Sequence, residues 1–161
     1  MHKILVSSCL LGERVRYDGK ACTLAQETLH RWLREGRVVA VCPEVDAGMS
    51  VPRPAAEIAS GGGVDVLDGS SAVIANTGVD VSSFFLKGAN LALDLCREHK
   101  IHIAILTEGS PSCGSSLIHD GSFSASKKAG EGVTTALLRR HGIAVFNQHQ
   151  LAEANDALLK L

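Results

Sequence analysis

Four short runs of β-branched and leucine-rich sequence, residues 3–8, 38–41, 101–106 and 143–146, constrain this chain more than any other feature. Each is too short for a helix and nearly continuous in apolar character, the pattern of a strand buried on both faces. The stretches between them carry helical spacing. Residues 24–35 place Leu24, Thr28 and Trp32, with Leu29 and Leu33, near one face, and Gly36 ends the pattern. Asp80-Val81-Ser82 opens a long helix that runs to about His99, and residues 134–141 and 151–159 supply two more. Strands alternating with helices give an α/β chain: a mostly parallel, Rossmann-like sheet flanked by helices. Residues 64–67 and 72–75 flank Asp68-Gly69-Ser70-Ser71 and read as a small hairpin insertion. Residues 43–54, with three of the four prolines, read as irregular, as does the glycine-rich stretch containing Asp120-Gly121 and Gly130 to Gly132. With 161 residues and no repeat or linker, one domain spanning 1–161 is expected.

The charge pattern narrows the partners. Sixteen basic and 17 acidic residues leave a net charge of −1, and the densest basic pairs are Lys127-Lys128 and Arg139-Arg140. That is too sparse for an electrostatic footprint on polymeric nucleic acid. Aromatics make up only 4%, too few for a platform that stacks successive bases of a strand. No stretch reaches the roughly 20 apolar residues of a membrane helix. Val6-Ser7-Ser8-Cys9 looks like a lipoprotein cleavage box, but the apolar run before it is far shorter than the about 7–15 residues of a signal sequence. A cytoplasmic protein is expected, with its five cysteines reduced; an odd number also argues against a disulfide framework.

Three of those cysteines follow expected strands. Cys9 comes directly after the first, Cys42 directly after the second, and Cys113 lies in the loop after the third. Ligands of open α/β sheets bind outside the carboxyl ends of the strands, so the three thiols are expected at one edge. Cys96 falls on the apolar face of the long helix and reads as core, and Cys22 precedes a helix and reads as structural. Three soft thiolates favour zinc or an iron–sulfur cluster. A four-iron cluster normally takes four cysteines, so three would leave one iron open to a substrate. Glu44, two residues past Cys42, is a candidate general acid or base. Ser110 and Ser112 flank Pro111, where their hydroxyls either orient a ligand or cap a turn. Arg14, Arg16 and Arg53 lie in the loops after Cys9 and Cys42, where a guanidinium would suit a phosphate. His119 belongs to no ligand pattern.

The ordered motifs Val6-Ser7-Ser8-Cys9-Leu10-Leu11-Gly12, Val15-Arg16-Tyr17-Asp18-Gly19, Cys42-Pro43-Glu44-Val45, Pro52-Arg53, Ser110-Pro111-Ser112-Cys113-Gly114, Asp120-Gly121-Ser122-Phe123 and Gly130-Glu131-Gly132-Val133 run across nearly the whole chain. In them the sequence resembles the TudS-type thiouracil desulfidases. The resemblance implies a 4Fe–4S cluster on Cys9, Cys42 and Cys113, with one iron lacking a protein ligand. It implies removal of sulfur from thiolated uracil compounds, without net redox change, releasing hydrogen sulfide. It places the catalytic pair at Glu44 and Ser110, and leaves Ser112, Arg16 and Arg53 as candidate substrate contacts. The expected partner is a small thiolated pyrimidine or its nucleotide, such as 4-thiouridine monophosphate. One departure stands out: the family commonly has a lysine shortly before Ser-Pro-Ser-Cys, and here that stretch is Thr107-Glu108-Gly109.

Other classes remain open at this stage. A zinc hydrolase or deaminase would echo Cys42-Pro43-Glu44, although Cys113 has no second cysteine three residues on. A non-catalytic iron–sulfur sensor would need the thiols without Glu44 and Ser110. A cysteine-nucleophile hydrolase would need Cys113 alone.

Overall fold

A computed structural model describes residues 1–24 and 26–161. Four parallel strands form the central sheet in the order β2 (Val38–Val41), β1 (Ile4–Ser7), β5 (Ile103–Ile105), β8 (Ala144–Phe146). The expected parallel α/β architecture is therefore present. The pleat divides each strand between two cores. Ile4, Val6, Ile103 and Ile105 face one side, where they pack with Leu29 and Trp32 of α1 (Glu27–Arg34) and Leu151, Ala154 and Leu158 of α6 (Leu151–Leu159). Leu5, Val41, Ala104 and Val145 face the other, against α4 (Ser82–His99) and α5 (Val133–Arg140). Burial on both faces explains why the strands read as apolar runs rather than as alternating ones.

Several local expectations need correction. Residues 64–67, read as a hairpin strand, form the helical turn α3 (Gly63–Leu67). Asp65 accepts the Gly62 N–H at 2.8 Å, and this cap turns the Val-x-Val pattern into a helix. The true partner of β4 (Val73–Ala75) is β3 (Ala56–Ile58), paired antiparallel. Within the stretch read as irregular, Pro43–Asp46 forms a one-turn helix, α2, with proline at its preorganised first position. The glycine-rich stretch conceals a second hairpin, β6 (Leu117–His119) with β7 (Lys127–Ala129). The first expected helix is shorter than its apolar pattern, and Ala25, within that pattern, lies outside the described residues. Among the described residues no helix is long and apolar enough to cross a membrane.

One close approach holds the Cys42 segment in place. Gly88 of α4 lies against α2, where a Cβ would collide with the Pro43 carbonyl. Any side chain there must push apart the helix and the segment that follows Cys42. Gly88→Ala is expected to lower the unfolding free energy by about 1–3 kcal/mol through overpacking, despite alanine's better helix propensity. Urea denaturation measures it; an unchanged midpoint would show that α4 withdraws from Pro43 at no cost.

Candidate active site

The sheet changes direction beside β1: the chain moves from β1 out to β2, then returns to place β5 on the other side of β1. Crevices form at such switch points. Here a cavity of about 500 Å³ opens at the carboxyl ends of the three strands, and Cys9, Cys42 and Cys113 all line it. All three are free thiols. Cys9 and Cys113 are only 7% and 6% exposed, and Cys42 is half-buried. Cys22 donates its backbone N–H to the Cys9 carbonyl at 3.0 Å, but it does not line the cavity. Cys96 is buried on α4.

Each thiol is held differently. Cys9 follows β1 in a 3-10 turn, Ser8–Leu11, and its Sγ lies 2.8 Å from the Thr107 hydroxyl at the end of β5. Cys42 caps α2, its thiol facing the Val15 carbonyl at 3.9 Å. Cys113 is positioned by its neighbours: Thr135 donates to its carbonyl at 3.0 Å, and its own N–H donates to the Ser110 hydroxyl oxygen at 3.2 Å. Gly132 lies so close to Ser112 and Cys113 that a Cβ would overlap their shared peptide bond. Burial raises the pKa of Cys9, with the Thr107 contact opposing, and pushes Cys42 up to about 11. Cys113 is raised first by burial, then by the Glu44 carboxylate and by the other two thiols. The Cys113 sulfur therefore senses the other two.

Glu44 lines the same wall. Its Oε2 accepts Arg53 Nε at 2.9 Å and Nη2 at 2.6 Å, and the Arg53 side chain is 4% exposed. The remaining Arg53 bonds go to the Ser50 carbonyl at 3.2 Å and the Val15 carbonyl at 2.9 Å. Arg53 itself lines the cavity, and four bonds to Glu44, Ser50 and Val15 let it orient the Glu44 carboxylate. Ser110 lines the cavity and also caps a turn, its oxygen accepting the N–H groups of Ser112 at 3.0 Å and of Cys113. Its hydroxyl proton stays available as a donor. Ser112 is not brought to the cavity: it is fully buried, 2.8 Å from the Thr134 hydroxyl. Arg16 reaches the cavity, whereas Arg14 does not line it.

Two features escaped the sequence reading. His119 lines the cavity, its Nδ1 3.1 Å from the Gly109 carbonyl, because the unforeseen β6–β7 hairpin carries it there. Glu108 organises the loop that leads to Cys113. Its Oε1 accepts the N–H groups of Gly109, Ser115, Ser116 and Leu117 at 2.8–3.3 Å. Its Oε2 accepts the Ser115 and Ser116 hydroxyls and the Asn147 amide at 2.7–3.0 Å. Burial alone would raise the Glu108 pKa, but the bonds from Ser115, Leu117 and Ser116 outweigh it and bring it down to about 2. The only signal in the sequence was an acidic residue between an apolar strand and a Ser/Gly-rich loop.

An α/β fold with three free thiols, a carboxylate and a hydroxyl around a switch-point cavity has the layout of an enzyme that acts on a small molecule. Residues 4–150 match the 2-thiouracil desulfurase family, and the chain belongs to it. It is 42% identical over 155 residues to the uncharacterised protein YbbK of Bacillus subtilis strain 168, covering 96% of this chain and 99% of that one. It also matches the solved structure of a [4Fe-4S]-dependent thiouracil desulfidase, TudS, with a TM-score of 0.91 and 47% identity over 100% of both chains.

The donor set here suits such a cluster. Three soft, unpaired thiols line one cavity, the donor chemistry that iron–sulfur clusters take.

The Glu108 hub makes an acid-dependence prediction. Its folded pKa lies below the ordinary 4.5, so its stabilisation is present above that value and disappears as pH falls toward about 2. Glu108→Ala is expected to cost about 2 kcal/mol at neutral pH. The gap from wild type should narrow between pH 5 and pH 2, ~3 units spanning both states' titration. Urea melts across that range measure it; a gap that does not change with pH would remove Glu108 from the acid response.

Proposed function

We propose that this chain hydrolytically removes sulfur from thiolated uracil compounds at a 4Fe–4S cluster held by Cys9, Cys42 and Cys113, releasing hydrogen sulfide. The observation that carries the proposal is the single cavity lined by three free thiols, two of them buried, together with Glu44 and Ser110. The relationship to a [4Fe-4S]-dependent thiouracil desulfidase supports it.

When bound, a cluster with three protein ligands supplies one iron as a soft Lewis acid for a thiocarbonyl sulfur. The protein supplies the rest. Cys9, Cys42 and Cys113 would hold the cluster as thiolates, a charge that their burial otherwise opposes. Glu44, held by Arg53 with Oε1 uncommitted among the described residues, takes a proton from the water that attacks the ring carbon. The Ser110 hydroxyl, its oxygen fixed by two backbone N–H groups, donates its proton to the charge that develops on the ring. The balance is C=S plus water giving C=O plus hydrogen sulfide, with no electron transferred. A reducing, cytoplasmic setting would keep the thiols competent.

Anaerobic reconstitution with iron and sulfide, followed by 2-thiouracil or 4-thiouridine monophosphate, tests this by the sulfide released. Cys9→Ser, Cys42→Ser and Cys113→Ser should each lose the cluster absorbance and the activity. Glu44→Gln should keep the absorbance and lose at least about a hundredfold in turnover, the usual scale of a general base. Stoichiometric zinc with no cluster would overturn the cofactor. Full turnover in Glu44→Gln would remove that carboxylate from the mechanism.

A further inference from the structure

Part of the cavity wall takes no role in holding sulfur. Glu57 of β3 lines it while only 7% exposed, and Phe123 lines it with its side chain partly open. The two are joined. Glu57 Oε1 accepts the N–H of Phe123 at 3.2 Å and that of Gly121 at 2.9 Å. These bonds pin the Asp120–Ser126 turn, closed by the Asp120 N–H on the Ser126 carbonyl at 3.0 Å, against β3. Phe123 itself sits at φ +56°, a left-handed conformation that an aromatic residue adopts only when its surroundings impose it. The second Glu57 oxygen, Oε2, has no hydrogen-bond partner among the described residues and is not fully buried, on a residue that lines the cavity. A nearly buried carboxylate that lines a cavity, with one oxygen used and one without a partner, is matched to a ligand that donates a hydrogen bond. An aromatic face held beside it is matched to a flat ring.

We infer that Glu57 and Phe123 form the seat for the pyrimidine ring, with the Phe123 side chain lying against the ring face and Glu57 Oε2 accepting one ring N–H. This rests on the proposed reaction for the identity of the ring. Glu57 has two duties here: through Oε1 it positions Phe123, and through Oε2 it reads the ligand. A charge-assisted bond from a ring N–H discriminates against any ring lacking a donor at that position.

The two duties separate experimentally. Binding of uracil to the reconstituted protein is measured by calorimetry, and KM and kcat for 2-thiouracil by sulfide release. Phe123→Ala should weaken uracil binding and raise KM about tenfold, the scale of losing a base–aromatic stack, with kcat and cluster absorbance kept. Phe123→Tyr should restore both. Glu57→Gln keeps an Oε1 acceptor for the turn but presents an amide donor in place of Oε2. It should retain the wild-type melting temperature and raise KM roughly tenfold. Methylating the contacted ring nitrogen of 2-thiouracil should cost wild type a similar factor and cost Glu57→Gln nothing further. Wild-type uracil affinity in Phe123→Ala, or a methylation penalty as large in Glu57→Gln as in wild type, would overturn the seat. A wild-type protein that binds uracil through these residues but releases no sulfide would overturn the reaction and leave the seat standing. A protein that binds no uracil would overturn the seat even if sulfide were released.

Discussion

The site depends on β1 pairing in parallel with β2 on one side and β5 on the other. The registers Ser7 to Val41 and Val6 to Ile105 bring the three carboxyl ends to nearly one level. Cys9, Cys42 and Thr107 each follow within two residues of those ends. Were either neighbour antiparallel, the residues after it would leave at the opposite edge of the sheet. The convergence of Cys9 and Cys42 is therefore a consequence of the backbone ladder, and burial of the strands on both faces stabilises it. The thiols need no attraction for one another. Burial opposes their deprotonation, and the backbone alone brings them to one cavity.

Cys113 is placed by other means, because it lies well past the end of β5. A free loop of that length would leave its thiol mobile. Three features remove the freedom. Glu108 gathers the N–H groups on both sides of the cysteine into one carboxylate. Ser112 and the Cys113 carbonyl are tied to Thr134 and Thr135 at the start of α5. Gly132 lets that helix approach the loop backbone without a side chain between them. Buried polar networks of this kind are costly if half made and specify one conformation if complete. The loop therefore keeps its shape from polar satisfaction, where the strands keep theirs from apolar burial.

The difference explains what could be read in the sequence. Apolar runs announce buried strands, so the sheet, the long helix over Ser82–His99 and the strand-end positions of Cys9 and Cys42 were legible. Ser112, Arg53 and His119 were not, because their roles depend on which partner each side chain meets. Ser112 has the same composition around it as Ser110, yet one turns toward Thr134 and the other toward the cavity. Arg53 reads as a candidate substrate contact, and only the fold shows it paired with Glu44. His119 and Phe123 ride on a hairpin and a turn whose glycines and serines suggested only loop. The short helix α3 was misread because a two-residue alternation is also compatible with one helical turn when a carboxylate caps it.

The Glu44–Arg53 pair ties the catalytic proposal to the thiols. The Glu44 carboxylate raises the pKa of Cys113 and of Cys42, and Arg53 lowers that of Cys42. A lone carboxylate beside the cysteines would oppose the thiolates that a cluster requires. A lone arginine would favour the thiolates but leave no base on the wall. Placed together and mostly out of solvent, the pair offers a proton acceptor while part of its field is cancelled. The same arginine also donates to the Val15 carbonyl, the atom that the Cys42 thiol faces. One buried guanidinium thus fixes the direction of the carboxylate, compensates its charge, and braces the loop against which Cys42 rests. The proposed base and the proposed ligand are coupled through it, so a change at Arg53 reaches both side chains together.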